Sequence, residues 1–179
     1  MKKFIAIVIA SVFITASGFA QKGNNKIGVG ADLSFPTGDF GEAFKTGFGG
    51  YVKGMYGIGE AGQITFTTGY SGFKMKNSID EFKMTTSIIP LLAGYRHNFQ
   101  SFFAEPQIGY GIYGIKVETD FEGLEGKESE GAFTWALNAG YIFNDKIEVS
   151  ARYQSGHKDG SSQSLFGLRV GYNFSLGSK

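Results

Sequence analysis

Apolar and polar side chains alternate with a period of two along most of the chain. Over residues 26–35, Ile27, Val29, Ala31, Leu33 and Phe35 share one face while Gly28, Gly30, Asp32 and Ser34 share the other, the signature of a strand with one apolar side. The same arithmetic holds over residues 63–72, 133–143, 147–154 and 166–174, where Ile64/Phe66/Tyr70, Trp135/Leu137/Tyr141, Val149/Tyr153 and Leu168/Val170/Tyr172 form the apolar rows. Three further strands are expected with weaker sidedness. Residues 47–57 carry Tyr51 and Met55 opposite Phe48, Val52 and Tyr56; residues 85–97 are apolar on both faces around Pro90; and residues 102–116 include Pro106. A proline cannot donate to a ladder, so a bulge or an unpaired position is expected at each. No segment has a convincing helical period.

The connections alternate between long and short. Segments 36–46, 73–84, 117–131 and 155–164 are expected to be long loops, whereas 58–62, 98–101 and 144–145 carry the Gly, Asn and Asp of tight turns. Eight strands joined in this way predict an all-β fold, an eight-stranded antiparallel up-and-down transmembrane β-barrel, with the termini and short turns at the periplasmic end and four long extracellular loops at the other. The polar rows decide between a soluble and a membrane barrel. They consist mainly of Gly, Ser, Thr, Asn and Gln, too little charge for a water-facing surface but suited to a narrow interior. Aromatic residues near the ends of the apolar rows, Phe35, Tyr56, Tyr70, Phe133, Phe143, Tyr153 and Phe174, then read as interfacial girdles.

Composition narrows the chemistry. The 179 residues contain 28 Gly and no Cys, which excludes disulfides and thiolate metal sites, and only His97 and His157 remain for imidazole chemistry. Met1-Lys2-Lys3, an apolar run from Phe4 to Thr15 and the small residues Gly18 and Ala20 predict a secretory signal peptide over residues 1–20, with the barrel domain over 21–179. Once Lys2 and Lys3 are removed, 15 Lys and Arg face 16 Asp and Glu, a balance that argues against nucleic-acid binding.

Several segments carry a resemblance. Gly28-Val29-Gly30-Ala31, the Phe35-Pro36-Thr37-Gly38-Asp39-Phe40 lead into the first loop, Ile89-Pro90-Leu91-Leu92-Ala93-Gly94-Tyr95, and Ala104-Glu105-Pro106-Gln107-Ile108-Gly109-Tyr110 resemble the small outer-membrane β-barrels of Gram-negative bacteria. These are the OmpA/OmpX-like, "porin family" proteins, in the form common in Bacteroidetes. The resemblance implies residence in the outer membrane among lipid and lipopolysaccharide. It also implies delivery by the barrel assembly machinery, whose C-terminal signal Gly171-Tyr172-Asn173-Phe174-Ser175-Leu176 is similar to.

Three candidate sites remain. Asp32, Lys53, Glu105, Glu148, Arg152 and Arg169 sit in the polar rows and are expected to form a lumen charge network that closes the bore, so that removing Arg152 lowers the melting point. Glu118, Asp120, Glu122, Glu125, Glu128 and Glu130, offset by Lys127 alone, form an acidic surface segment that would suit a divalent cation or a basic protein partner. Finally, some barrels of this size resemble lipid A deacylases with a lipid-facing Ser/His pair, and His157 lies near Ser155, Asp159, Ser161 and Ser162. A Ser-rich polar loop is the plainer reading of that cluster, so no enzyme activity, cofactor or metal is expected. The functional expectation is a non-catalytic structural or surface-interaction barrel, with a narrow porin-like pore or small-ligand conduit as the alternative.

Overall fold

The computed structural model describes residues 25–76, 82–119, 126–158 and 160–176. The expected signal peptide lies outside them. Eight antiparallel strands follow one another around a closed barrel: β1 (Lys26–Thr37), β2 (Gly47–Ile58), β3 (Gly62–Lys74), β4 (Phe82–Phe99), β5 (Phe102–Thr119), β6 (Gly126–Phe143), β7 (Ile147–Lys158) and β8 (Ser161–Ser175). A short helix, α1 (Gly38–Ala43), follows β1. β8 pairs with β1 from Lys26↔Ser175 to Thr37↔Ser164, which removes the free edges an open sheet would expose.

The apolar rows face outward. Phe48 is 72% exposed, Ile108 63% and Val170 56%, while Lys53, Arg96, Glu105, Arg152 and Arg169 are almost fully buried. This inverts the distribution of a water-soluble protein, in which large apolar groups go inside and charges stay out. Here the low-dielectric solvent lies outside the sheet and the charged and polar groups lie within. Strand β2, ambiguous by pattern, points Phe48, Val52 and Tyr56 outward and buries Tyr51 and Met55 in the lumen.

Both strand prolines sit at breaks in the ladder. The β3–β4 register runs through Thr68↔Leu91 and resumes at Ser71↔Ile88, leaving Pro90 unpaired on that side. The β4–β5 register likewise skips from Gly94↔Gln107 to His97↔Ala104, across Pro106. Equal numbers of residues are skipped on each strand, so the sheet keeps its register without a bulge. At the end that carries the termini, Asn144 (φ 50°) and Asp145 (φ 60°) are the left-handed central residues of a turn in the three-residue connection 144–146, closed by Lys146 N–H donating to Phe143 O at 3.0 Å. Close strand approach in so narrow a barrel also demands missing side chains: a Cβ on Gly109 would collide with the Leu91 carbonyl oxygen.

The long-loop expectation needs correction. Strands β4, β5 and β6 are each 18 residues long. At ~3.3 Å per residue and a tilt of about 40°, each rises ~45 Å along the barrel axis, well beyond an apolar band of ~25 Å. Residues 73–74, 82–84, 117–119 and 126–131 are therefore strand that continues past the membrane zone, and residues 155–158 and 161–164 are paired strand. Segment 36–46 holds α1, whose Phe40 is 6% exposed and packs with Phe73, Ile88, Tyr113, Ala132 and Leu165. That apolar cluster fills the lumen at the end opposite the tight turns.

Candidate functional site: the filled lumen

Polar side chains project inward from the middle of the strands because the alternation leaves them no other face. Glu105 on β5 accepts hydrogen bonds from Lys53 Nζ at 2.8 Å, Arg96 Nε at 3.0 Å, Arg96 Nη2 at 2.7 Å, Thr65 Oγ1 at 2.8 Å and Gln107 Nε2 at 2.7 Å. Glu148 on β7 accepts from Arg96 Nη1 at 2.8 Å and Nη2 at 3.1 Å, from Asn173 Nδ2 at 3.3 Å, and from Lys53 Nζ at 3.5 Å. The Arg96 guanidinium also stacks 3.7 Å from the Phe103 ring centroid. Two cations and two carboxylates thus share one desolvated site in which every charge has an opposite neighbour.

A second group lies one layer towards α1. Asp32 accepts from Arg169 Nε at 2.7 Å and from Ser34 Oγ, and it makes an ion pair with Arg152 Nη2 at 3.0 Å. Arg169 lies 4.5 Å from the Tyr51 ring centroid, and its charge is further stabilised by the π-face.

All six residues of the expected network, Asp32, Lys53, Glu105, Glu148, Arg152 and Arg169, therefore lie in the lumen, divided into two groups. Arg96, absent from the sequence-based set, is the hub of the larger one. It occupies an inward position of β4 two residues beyond Gly94 and four beyond Leu92, a periodicity hidden because that strand is apolar on both faces higher up.

The acidic segment divides differently. Asp120, Glu122 and Glu125 lie outside the described residues. Glu118 belongs to β5, and Glu128 and Glu130 to β6, so these three stand on paired strands instead of in a loop. Glu130 forms an ion pair with Lys158 at 2.9 Å, solvent-exposed on both sides. Among the described residues, no three His, Asp or Glu side chains converge as metal ligands would.

The histidines are also on strands. His97 is on β4, with Nδ1 3.2 Å from the Tyr95 hydroxyl, and His157 is on β7. Ser155 Oγ is 2.9 Å from His157 Nε2 and 2.8 Å from Ser164 Oγ, and the Trp135 indole N–H donates to the same His157 nitrogen at 3.3 Å. A Ser/His contact on the outer face is thus present, contrary to the loop expectation. However, Ser155 is only 2% exposed beside Trp135 and His157, so a lipid ester carbonyl has no approach to its oxygen. The cluster satisfies polar groups within the lipid-facing wall.

The girdle residues Phe35, Tyr56, Tyr70, Phe133, Phe143, Tyr153 and Phe174 all point outward. Several outward rings meet: near α1, Phe35, Phe166 and Tyr153 are register neighbours, with Trp135 5.5 Å from Tyr153, and at the turn end the Phe102, Tyr141 and Phe143 ring centroids lie 4.9 and 4.6 Å apart and those of Tyr172 and Phe174 4.7 Å apart.

A closed eight-stranded barrel with an apolar exterior and a polar, charge-filled interior defines an integral outer-membrane β-barrel. The chain belongs to the Outer membrane protein beta-barrel domain family, which matches residues 6–174. Among solved structures, it is similar to Ail, the attachment invasion locus protein of Yersinia pestis, in complex with the heparin analogue sucrose octasulfate (TM-score 0.68, 17% identity, covering 86% of this chain and 100% of that one). It is also similar to the N-terminal β-barrel domain of Pseudomonas aeruginosa OprF (TM-score 0.55, 14% identity, 86% and 100% covered) and to the outer membrane protein OprG of the same organism (TM-score 0.52, 9% identity, 86% and 98% covered). At these identities the likeness is one of fold. A search of curated protein sequences returned no match.

Proposed function

We propose that the protein is a non-catalytic outer-membrane barrel whose role is structural or surface-interactive. The observation that carries this reading is the filled lumen. Two buried ion-pair groups and the apolar cluster around Phe40 occupy the bore in successive layers, which directs function to the outer wall and the α1 end. There β5 and β6 rise as a paired ribbon bearing Glu118, Glu128 and Glu130, and the intervening segment adds Asp120, Glu122 and Glu125. This charge favours a basic protein surface or a divalent cation bridging to lipopolysaccharide. It disfavours a sulfated polyanion of the kind bound to Ail. The C-terminal strand β8 serves as the segment handed to the barrel assembly machinery.

The test is planar-bilayer conductance of the chain from residue 21 onward, with heat-shifted gel mobility reporting barrel closure. A closed barrel that stays silent is the expected result. Stable, ion-selective steps would overturn this reading in favour of a narrow conduit.

A further inference from the structure

A cavity of about 200 Å³ opens at the α1 end of the barrel, the end that barrels of this class turn to the medium. Its walls come from inward positions on four consecutive strands: Tyr113 on β5, Glu130 on β6, Gly156 and Lys158 on β7, and Ser161 and Gln163 on β8. Register explains the convergence. Tyr113 lies opposite Glu130, Gly156 opposite Gln163, and Lys158 opposite Ser161, so the alternation turns all of them to the same interior. Tyr113 and Ala132 belong to the apolar cluster that fills the lumen, and they close the floor. Gly156 makes room for that floor, because a Cβ on it would collide with the Tyr113 hydroxyl, which lies 3.1 Å from Thr134 Oγ1.

The lining selects by chemistry. Glu130 and Lys158 form an ion pair at 2.9 Å on the rim, so neither a free cation nor a free anion meets a net opposite charge among the described lining residues. Gln163 disfavours an apolar ligand. Its Oε1 is buried without a hydrogen-bond partner among the described residues, and hydrocarbon placed against it would leave that acceptor unsatisfied. A ligand that suits the whole lining is uncharged, rich in hydroxyls, and apolar on the side it turns to Tyr113 and Ala132.

A pyranose ring has these properties. Adjacent ring hydroxyls stand about a hydrogen-bond length apart, so one can donate to the Glu130 carboxylate while its neighbour accepts from the Lys158 ammonium. A further hydroxyl can donate to Gln163 Oε1, and the Ser161 hydroxyl serves as donor or acceptor. The volume falls short of the ~300–1,000 Å³ typical of drug-sized sites and suits a single ring.

We propose that this cavity binds one uncharged pyranose ring, either a free sugar or the terminal unit of a glycan. The site goes beyond the surface-interactive role above. It holds whether or not the acidic ribbon meets a basic partner, and whether or not the bore conducts.

The test is saturation-transfer NMR on the refolded chain from residue 21 onward, in a detergent without a sugar headgroup, with the methyl glycosides of glucose, galactose and mannose as probes. At least one should receive saturation from the barrel, and heat-shifted gel mobility confirms that each variant has closed. Gln163→Leu removes the buried acceptor and Lys158→Met removes half of the rim pair, so each should raise the half-saturating concentration at least fivefold. Gly54→Ala, on the outer face with nothing within 4 Å of the new Cβ, should leave it unchanged. The disaccharide ending in the preferred ring separates the two sources: transfer to its terminal ring marks a glycan end and none marks a free sugar, and either supports the site. Transfer to none of the three glycosides from a closed barrel would overturn the inference in favour of a water-filled pocket. Binding undiminished in both variants would overturn it in favour of non-specific contact, and competitive displacement by calcium would overturn it in favour of a cation held at Glu130.

Discussion

Removing Arg96 tests whether the lumen is held together by its charges or merely lined by them. Four of its N–H groups reach carboxylate oxygens, two on Glu105 and two on Glu148, at 2.7 to 3.1 Å, and none of the three residues is more than 1% exposed. In Arg96→Ala, both carboxylates retain Lys53, which lies 2.8 Å from Glu105 but 3.5 Å from Glu148. Two negative charges then share one cation in a site without solvent. Breaking a buried pair by deleting one partner costs about 3–5 kcal/mol, more than the pair itself contributes, because the remaining charge is left desolvated. For a barrel of this size, that corresponds to a fall in melting temperature of roughly 10 °C. The assay is the temperature at which the folded, faster-migrating band of the refolded protein converts to the unfolded one on a gel. A second variant separates charge from packing. Arg96→Ala with Glu148→Gln restores the balance at one cation to one carboxylate in the same cavity, and should recover at least half of the loss, a coupling that a double-mutant cycle with the two single variants quantifies. A single variant that melts within 2 °C of the parent, or a double variant no better than the single, would refute the reasoning.

Two further variants follow from the same geometry. Arg152→Ala leaves Asp32 still paired with Arg169 at 2.7 Å, so its cost should be about 1–2 kcal/mol, less than half that of Arg96→Ala in the same gel assay. An equal or larger effect would mean that Arg169 does not satisfy Asp32 alone. Gly109→Val pushes a branched side chain into the Leu91 carbonyl and should prevent closure, seen as loss of the heat-shifted band on refolding.

The distribution of legible and illegible features follows the solvent. Where the wall meets lipid, one face must be apolar, so the period-two rows over residues 26–35, 133–143 and 166–174 mark their strands and sidedness directly. Beyond the apolar band, both faces meet water and that requirement lapses. Main-chain pairing alone continues the strand there, and for this reason residues 117–119 and 126–131 read as loop but fold as β5 and β6. Strand β4 fails for the opposite reason. Ile88 and Leu92 fill the lumen with apolar side chains, so both faces look alike and the inward position of Arg96 is concealed.

Sequence alone determined the class of protein: all-β, strands apolar on one side, and the lumen charges of Asp32, Lys53, Glu105, Glu148, Arg152 and Arg169 placed in the polar rows. It determined these because each depends on neighbours two or four residues apart, where backbone geometry dictates the face. The tertiary structure decided which charges meet. Asp32 pairs with Arg169 across 137 residues and Arg96 with Glu148 across 52, distances set by closure of β1 on β8 and by the shared register of eight strands. The same closure placed two arginines opposite a single aspartate, an imbalance that arises only when side chains distant in sequence occupy one small desolvated volume.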